Sequence, residues 1–243
     1  MDNRDQILAN IRKGRSSVKD QTKGPLFTEK SKKELLERWE DIKKQRAGHK
    51  DELLHSFKTE CEPLLVKVYE AQTSDEACKF LSSIIKETGA SQIITWDSLP
   101  LKQLNIDRLL DSLGVQNIAS EKEASLTKAD RKGHTTLASQ AELGVSGADY
   151  GLADTGTLVL RALPGQDRSS SLLPPIHVAV LESGNILSSL EDLMVRLQLD
   201  RQDRGNLDSC VTLISGPSKT ADIEMNLVLG IHGPQDLHVI ILK

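Results

Sequence analysis

The sequence predicts an α/β protein in which a mainly parallel sheet flanked by helices, residues 63–243, follows an N-terminal helical extension, residues 1–62. Three observations lead there. Short β-branched and aliphatic runs alternate with amphipathic helical runs long enough to cross from one parallel strand to the next. The first 60 residues carry 15 Lys plus Arg against 11 Asp plus Glu, whereas the whole chain carries 31 against 35 and a net charge of −4, so the opening quarter is a different kind of segment. At 243 residues and 38% hydrophobic composition, the remainder can build a sizeable core.

In the extension, Arg4 to Lys13 reads as a short helix stopped at Gly14. Ser31 and Glu34 form a capping box for a second helix, reaching about Ala47, whose apolar stripe is Leu35, Leu36, Trp39 and Ile42. A third, about Lys50 to Cys61, puts Leu53, Leu54 and Phe57 on one side. Such faces need a surface, either the main domain or another subunit.

The main domain opens with a strand at Leu64 to Ala71. A helix over Thr73 to Thr88 follows, capped by Thr73 and Glu76 and stopped at Gly89, then a strand at Gln92 to Trp96, which makes a βαβ unit. Ile106 to Leu113 is helical, closed by Gly114, and Val115 to Ala119 is a third strand. After about Ala124 a helical segment leads into an apolar run, Val145 to Ala153. Asp154-Thr155-Gly156 turns the chain, and Thr157 to Ala162 returns as a hairpin or crossing strand. A Ser/Pro/Gly-rich loop, Leu163 to Pro175, precedes a buried strand at Ile176 to Leu181. Ser188 and Glu191 cap a helix with Leu190, Leu193, Met194 and Leu197 facing inward. Cys210 to Ile214 is a strand, Ser215 to Ser218 a turn, Thr220 to Leu229 a helix ended by Gly230, and Leu237 to Leu242 the strand that closes the sheet.

Composition excludes several classes. A net charge of −4 excludes a strongly basic nucleic-acid binder, and the longest uncharged stretch, Ser169 to Leu181, is far short of the ~20 apolar residues of a bilayer span. Asp2 and Arg4 are followed by further polar residues with no apolar leader, so a cytoplasmic location is expected. Cys61, Cys78 and Cys210 are widely separated and lack CxxC spacing. An iron–sulfur cluster usually takes four thiolates and a structural zinc two to four in close pairs, so neither is expected in this chain.

The turn between Cys210 and Leu229 offers a strand, a Gly/Pro/Ser loop and an expected helix start, an arrangement whose free N–H groups and dipole favour an anion. Gly216 gives the turn its freedom, while Ser218 and Thr220 add hydroxyls; alternatively Ser218 only caps the helix. No phosphate-loop or dinucleotide fingerprint accompanies it. Asp154-Thr155-Gly156-Thr157 resembles the catalytic turn of aspartic proteases, but that chemistry needs two facing copies; this chain has one, and although a homodimer could supply the second, the alternation of strands and helices is unlike the mostly antiparallel sheet of those proteases. His177 starts an apolar strand after Pro174-Pro175, and His232 sits between Gly230 and Gly233-Pro234. Each is open to two readings, a hydrogen-bonded core histidine or a pocket acid/base. Asp222 and Glu224, two apart on the expected helix, diverge and make no metal pair; no recognised metal spacing occurs.

The stretches GADYGLADTGTLVL, RSSSLLPPIHVAVLESG and ISGPSKTADIEMNLVLGIHGPQDLHVIIL together resemble the lactate-utilisation protein C family (LutC/YkgG, the LUD domain), over roughly Leu64 to Lys243. The resemblance implies a fold similar to the NagB/RpiA/CoA-transferase-like superfamily, with a pocket at the carboxyl ends of the strands. It also implies a role in oxidising L-lactate to pyruvate beside iron–sulfur partner proteins, with no cofactor in this chain. The polar positions in the matching motifs supply the candidate site. Asp154, His177 and His232 are the candidate catalytic groups. Thr155, Gly156, Thr157, Arg168, Ser170, Gly216, Ser218, Thr220, Asp222 and Glu224 are the candidate substrate-binding residues. Many family members carry Glu where this chain has Asp154. On this reading Arg168 would clamp a small carboxylate with its planar fork. The alternatives are a non-catalytic assembly or regulatory subunit docking through its N-terminal helices, and a stand-alone transferase or isomerase inferred from fold analogy.

Overall fold

The computed structural model describes residues 31–119, 136, 138–204, 210–221 and 227–243. The helix expected at Arg4 to Lys13, the helical segment after Ala124, and Asp222 and Glu224 lie outside the described residues. In chain order the helices are α1 (Lys32–Gly48), α2 (Lys50–Cys61), α3 (Ser74–Thr88), α4 (Leu99–Gln103), α5 (Ile106–Leu113), α6 (Ser169–Leu172) and α7 (Leu190–Arg204). The strands are β1 (Lys67–Ala71), β2 (Gln92–Thr95), β3 (Gln116–Ala119), β4 (Leu143–Ala148), β5 (Tyr150–Leu152), β6 (Thr157–Arg161), β7 (Ile176–Glu182), β8 (Ile186–Leu187), β9 (Val211–Ile214), β10 (Lys219–Ala221), β11 (Leu227–Leu229) and β12 (Asp236–Leu242).

Six strands form the expected parallel sheet, in the order β1-β12-β7-β4-β2-β3. Its inner strands are apolar on both faces, as a covered parallel sheet demands: β4, and β7 and β12 apart from their ends, are buried. β12 does not close this sheet; it lies between β1 and β7. The βαβ unit is formed as predicted. The Thr73 side chain accepts from the Glu76 N–H, and α3 stops at Gly89 in the left-handed region, φ +67°, which a side chain with a Cβ enters only at a cost.

A second sheet, β8-β5-β6-β9, was not expected. The run from Val145 to Ala153 is not one strand: it breaks at Asp149, so that β4 serves the first sheet and β5 the second. β5 and β6 make the hairpin, with Leu152 opposite Thr157. Side chains alternate strictly between two cores, as pleating requires. Leu158, Leu160 and Ile186 join the core of the parallel sheet, whereas Leu152, Val159 and Leu187 pack with Leu35, Trp39 and Ile42 of α1 and with Leu193, Val195 and Leu199 of α7. The two sheets therefore face each other, and α1 and α7 cover the outer face of the smaller one.

Several local expectations change. Leu36 and Leu190 are exposed, and the buried side of α7 runs through Leu193, Val195 and Leu199. The loop from Leu163 to Pro175 contains α6. The helix expected from Thr220 to Leu229 is instead antiparallel strand at both of its described ends, with Thr220 opposite Val228 and Lys219 opposite Leu229. Pairing between these strands satisfies the backbone there in place of intrahelical bonds.

Candidate functional site

The two Gly-bearing turns singled out from the sequence meet. β6 and β9 pair with Leu158 opposite Ile214, which brings the end of the Asp154–Thr157 turn to the start of the Ser215–Ser218 turn. The hydroxyls of Thr157 and Ser215 are 2.7 Å apart, and Thr157 also bonds to the Thr155 hydroxyl at 2.9 Å. Both glycines are dictated by close approach. Gly156 has φ +59° and Gly216 φ +99°, and a Cβ at either would press on the backbone at Glu60–Cys61 or at Leu64. Asp154 and Thr155 are exposed beside this junction, the Thr155 hydroxyl donates to Asp154 Oδ1 at 3.2 Å, and the Asp154 N–H donates to the Ser188 carbonyl.

Beside the junction lies a cleft of about 190 Å³ between the amino ends of β7 and β12 and the inner side of β9. His177 and Leu237 line it from the parallel sheet, Thr212 and Ile214 from β9, Ser171 and Leu172 from α6, and Gly216, Ser218 and His232 from the turns. The Ser218 N–H donates to the Pro234 carbonyl at 2.8 Å and its carbonyl accepts from the Gly230 N–H at 3.0 Å, tying the two turns together. His232 is exposed, whereas His177 is fully buried.

His177 is the chemically informative residue. Its Nε2 lies 2.8 Å from the Ser146 hydroxyl, and its Nδ1 is buried without a partner. Burial, reinforced by neighbouring His238, pushes its pKa down to about 4, so the ring is neutral at physiological pH. The Ser146 hydroxyl can donate to Nε2 or accept from it, so the bond fits either neutral tautomer, and in both Nδ1 is a polar atom without a protein partner. The cleft thus has mostly apolar walls and a buried neutral imidazole with one unpaired nitrogen, the pattern of a small-molecule site.

Other candidates fall elsewhere. Arg168 is exposed at the start of α6 and is not a lining residue of the cleft; its carbonyl, rather than its guanidinium, is engaged, accepting from the Ser171 N–H and hydroxyl. Ser170 is buried with an unpartnered hydroxyl, held against β4 where Gly144 leaves room for its carbonyl. Thr220 stands in β10. Because Lys219–Ala221 is a strand, no helix begins directly after Ser218, and the Ser218 N–H is already used.

Sequence reasoning missed Ser146, which only the register of β4 beside β7 reveals, since Ala179 opposite Ser146 sets the Ser146 and His177 side chains on one face. It also missed the ion network in which Arg161 pairs with Asp149 and Asp200, and Asp200 with Arg196. The implied pocket at the carboxyl ends of the strands is not where His177, Gly216, Ser218 and His232 gather. That end carries clefts of its own, lined by none of the candidate catalytic or substrate-binding residues. Among the described residues no cluster of three or more His, Cys, Asp or Glu could hold a metal ion, and no helix is long and apolar enough to cross a membrane.

Comparison with known proteins places this geometry in context. The sequence profile of the LUD domain matches residues 54–242. Lactate utilization protein C of Halalkalibacterium halodurans is 31% identical over 187 residues, 76% of each chain. The protein of that name from Bacillus pumilus is 32% identical over 185 residues, again 76% of each. The uncharacterized protein YkgG of Escherichia coli is 32% identical over 167 residues, 68% of this chain and 67% of its own. A crystal structure of a DUF162 family protein from Deinococcus radiodurans superposes with a TM-score of 0.55 at 20% identity, covering 80% of this chain and 98% of that one, a likeness of fold.

Proposed function

The chain belongs to the LUD-domain family, and from that premise we propose that it is a component of a cytoplasmic system oxidising L-lactate to pyruvate. In this reading it binds a small carboxylate and works beside iron–sulfur partners. The observation that carries the proposal is the similarity to Lactate utilization protein C across three quarters of both chains. The amino-end cleft supports it. Its volume of about 190 Å³ suits a ligand of a few heavy atoms, well below drug-sized pockets. A lactate hydroxyl directed inward would pair with Nδ1 of His177 in either tautomer, and the carboxylate would lie at the mouth near Ser218 and His232.

Oxidation of lactate releases two electrons and two protons. The three cysteines of this chain lie far apart in sequence and are free thiols, with Cys61 buried and its pKa pushed up to about 12 by that burial. In this reading the electrons pass to clusters in the partners, and this chain contributes binding and orientation. Of the N-terminal stripe, Leu35, Trp39 and Ile42 are covered by the chain's own α7 and second sheet, Leu36 is exposed, and the helix expected over Arg4 to Lys13, which also belongs to the docking alternative, lies outside the described residues.

Two measurements test the proposal. Deleting the gene should abolish growth on L-lactate while sparing growth on pyruvate, with restoration by the intact gene. Calorimetry with pyruvate and L-lactate should show binding by the wild-type chain, alone or with its partners, that His177→Phe loses. Unimpaired growth of the deletion strain on L-lactate refutes the pathway role; absence of binding in every combination refutes the cleft.

A further inference from the structure

We propose that a second cleft, at the carboxyl ends of β2, β4 and β7, binds a neutral, hydroxyl-rich molecule of about the size of a sugar. This site is separate from the one considered above. The topology marks the location. β2 pairs with β3 on one side and with β4 on the other, so after β3 the chain returns past β2 to continue the sheet in the opposite direction. The crevice outside the carboxyl ends of an open parallel sheet, at such a reversal, is where the loops diverge and leave room for a ligand.

The cavity there measures about 240 Å³, drawn from the ends of all three strands and from Arg161 of β6 and Gln166 of the following loop. It is below the range of drug-sized pockets and too small for a dinucleotide. Gly147 forms part of its wall, and a Cβ there would come within 2.8 Å of the Ser98 hydroxyl. Two groups lining it have no partner. Ser98, 6% exposed, has a buried hydroxyl that makes no hydrogen bond even though it precedes α4, where it could cap the helix. The Gln166 side-chain carbonyl is also buried and unpartnered. Buried polar atoms are paired in the great majority of cases, and two orphans lining one cavity indicate that something else pairs with them.

The charges select the class of ligand. Asp149 and Glu182 line the cavity against one cation, Arg161, which Asp149 and Asp200 already grip at 2.8–2.9 Å. An anion entering would meet two carboxylates and a guanidinium already engaged. The Gln166 carbonyl and the carboxylate of Glu182 are acceptors, so the ligand must bring hydrogen-bond donors without negative charge. Hydroxyl groups meet that requirement, and the Ser98 hydroxyl can either donate to them or accept.

The chain has two tryptophans, Trp39 and Trp96, and Trp96 lines this cleft with its indole N–H held by the Asp167 carbonyl at 2.7 Å. Its indole resonance, assigned by comparison with Trp39→Phe, is the reporter. Titration of the full-length chain with myo-inositol, D-ribose and D-glucose at millimolar concentration should move the Trp96 signal saturably for at least one of them. Gluconate and ribose 5-phosphate should not move it. Ser98→Ala and Gln166→Leu should each weaken the interaction about tenfold, while the melting temperature of the empty Ser98→Ala protein stays level or rises, because that change removes an unpaired buried hydroxyl, whereas Gln166→Leu also gives up the bond from its amide nitrogen to the Asp97 carbonyl. His177→Gln should leave this titration unchanged. Failure of every neutral polyol, or equal binding by the charged counterparts, overturns the proposal.

Discussion

His177 should make the protein acid-sensitive well above the pH at which its carboxylates titrate. Folded, the ring has a pKa of about 4; unfolded, it returns to 6.5. Below 6.5 the unfolded chain takes up a proton that the native chain refuses, so stability is complete near neutrality and is lost as pH falls toward 4. A separation of this size is worth about 3 kcal/mol when fully expressed, and about 2 kcal/mol of it is lost between pH 7 and pH 5. His238, whose pKa burial also pushes down to about 4, adds a similar slope, so wild type alone cannot isolate His177. The variant His177→Gln can. Its amide does not titrate and can still meet the Ser146 hydroxyl. Urea unfolding of both proteins at pH 7 and pH 5 gives the comparison, and wild type should lose about 2 kcal/mol more than His177→Gln over that interval. With a urea slope of about 2 kcal/mol/M, this corresponds to a midpoint difference near 1 M. Equal losses in the two proteins would show that the ring is not held neutral in the core, and would remove the neutral imidazole on which the amino-end cleft depends.

Three further outcomes follow from packing and charge. Gly144→Ala places a methyl onto the Ser170 carbonyl and against Pro174, so it should cost about 1–3 kcal/mol in urea unfolding and displace α6 from the cleft wall. Arg161→Ala strands Asp149 without its cation and leaves the buried Asp200 with Arg196 alone, and should cost about 3–5 kcal/mol, with Arg161→Lys recovering only part because one ammonium cannot span both carboxylates. Arg168→Ala and Arg168→Lys should both remain within about 0.5 kcal/mol of wild type and leave pyruvate affinity unchanged in calorimetry, since the side chain faces solvent away from the cleft lining.

The parallel sheet was legible because its signals are local. The capping threonine at Thr73, the stop at Gly89 and the apolar runs around Ile93 and Val178 each declare an element without reference to distant sequence. The second sheet was not, because β5 and β8 have three and two residues, too few to show a period, and they gain stability only by pairing with strands elsewhere. The stretch from Thr220 to Leu229 shows the opposite failure. It carries a helical pattern, yet at both described ends the pairing of Lys219 with Leu229 and Thr220 with Val228 overrides that preference. For the site, conformation was readable and contact was not. Gly156 and Gly216 mark turns in any context, but the Ser146–His177 bond depends on the relative register of two strands, which no spacing in one chain discloses.

That register also separates the two clefts. β7 runs from Ile176 to Glu182; His177 near its start lines the amino-end cleft, and Glu182 at its end lines the other. Five residues of extended chain span roughly 16 Å, beyond the reach of a ligand small enough for either cavity. A molecule in one cannot touch the other, and any influence between them must pass along β4 and β7, whose central residues are buried. Closely packed strands of this kind resist small displacements, so substitutions at His177 and at Ser98 should act independently. A double variant, His177→Gln with Ser98→Ala, should therefore change stability by the sum of the single changes within about 0.5 kcal/mol. A larger departure from additivity would mean that the sheet transmits strain from one end to the other, and that the two clefts answer to a common conformational state.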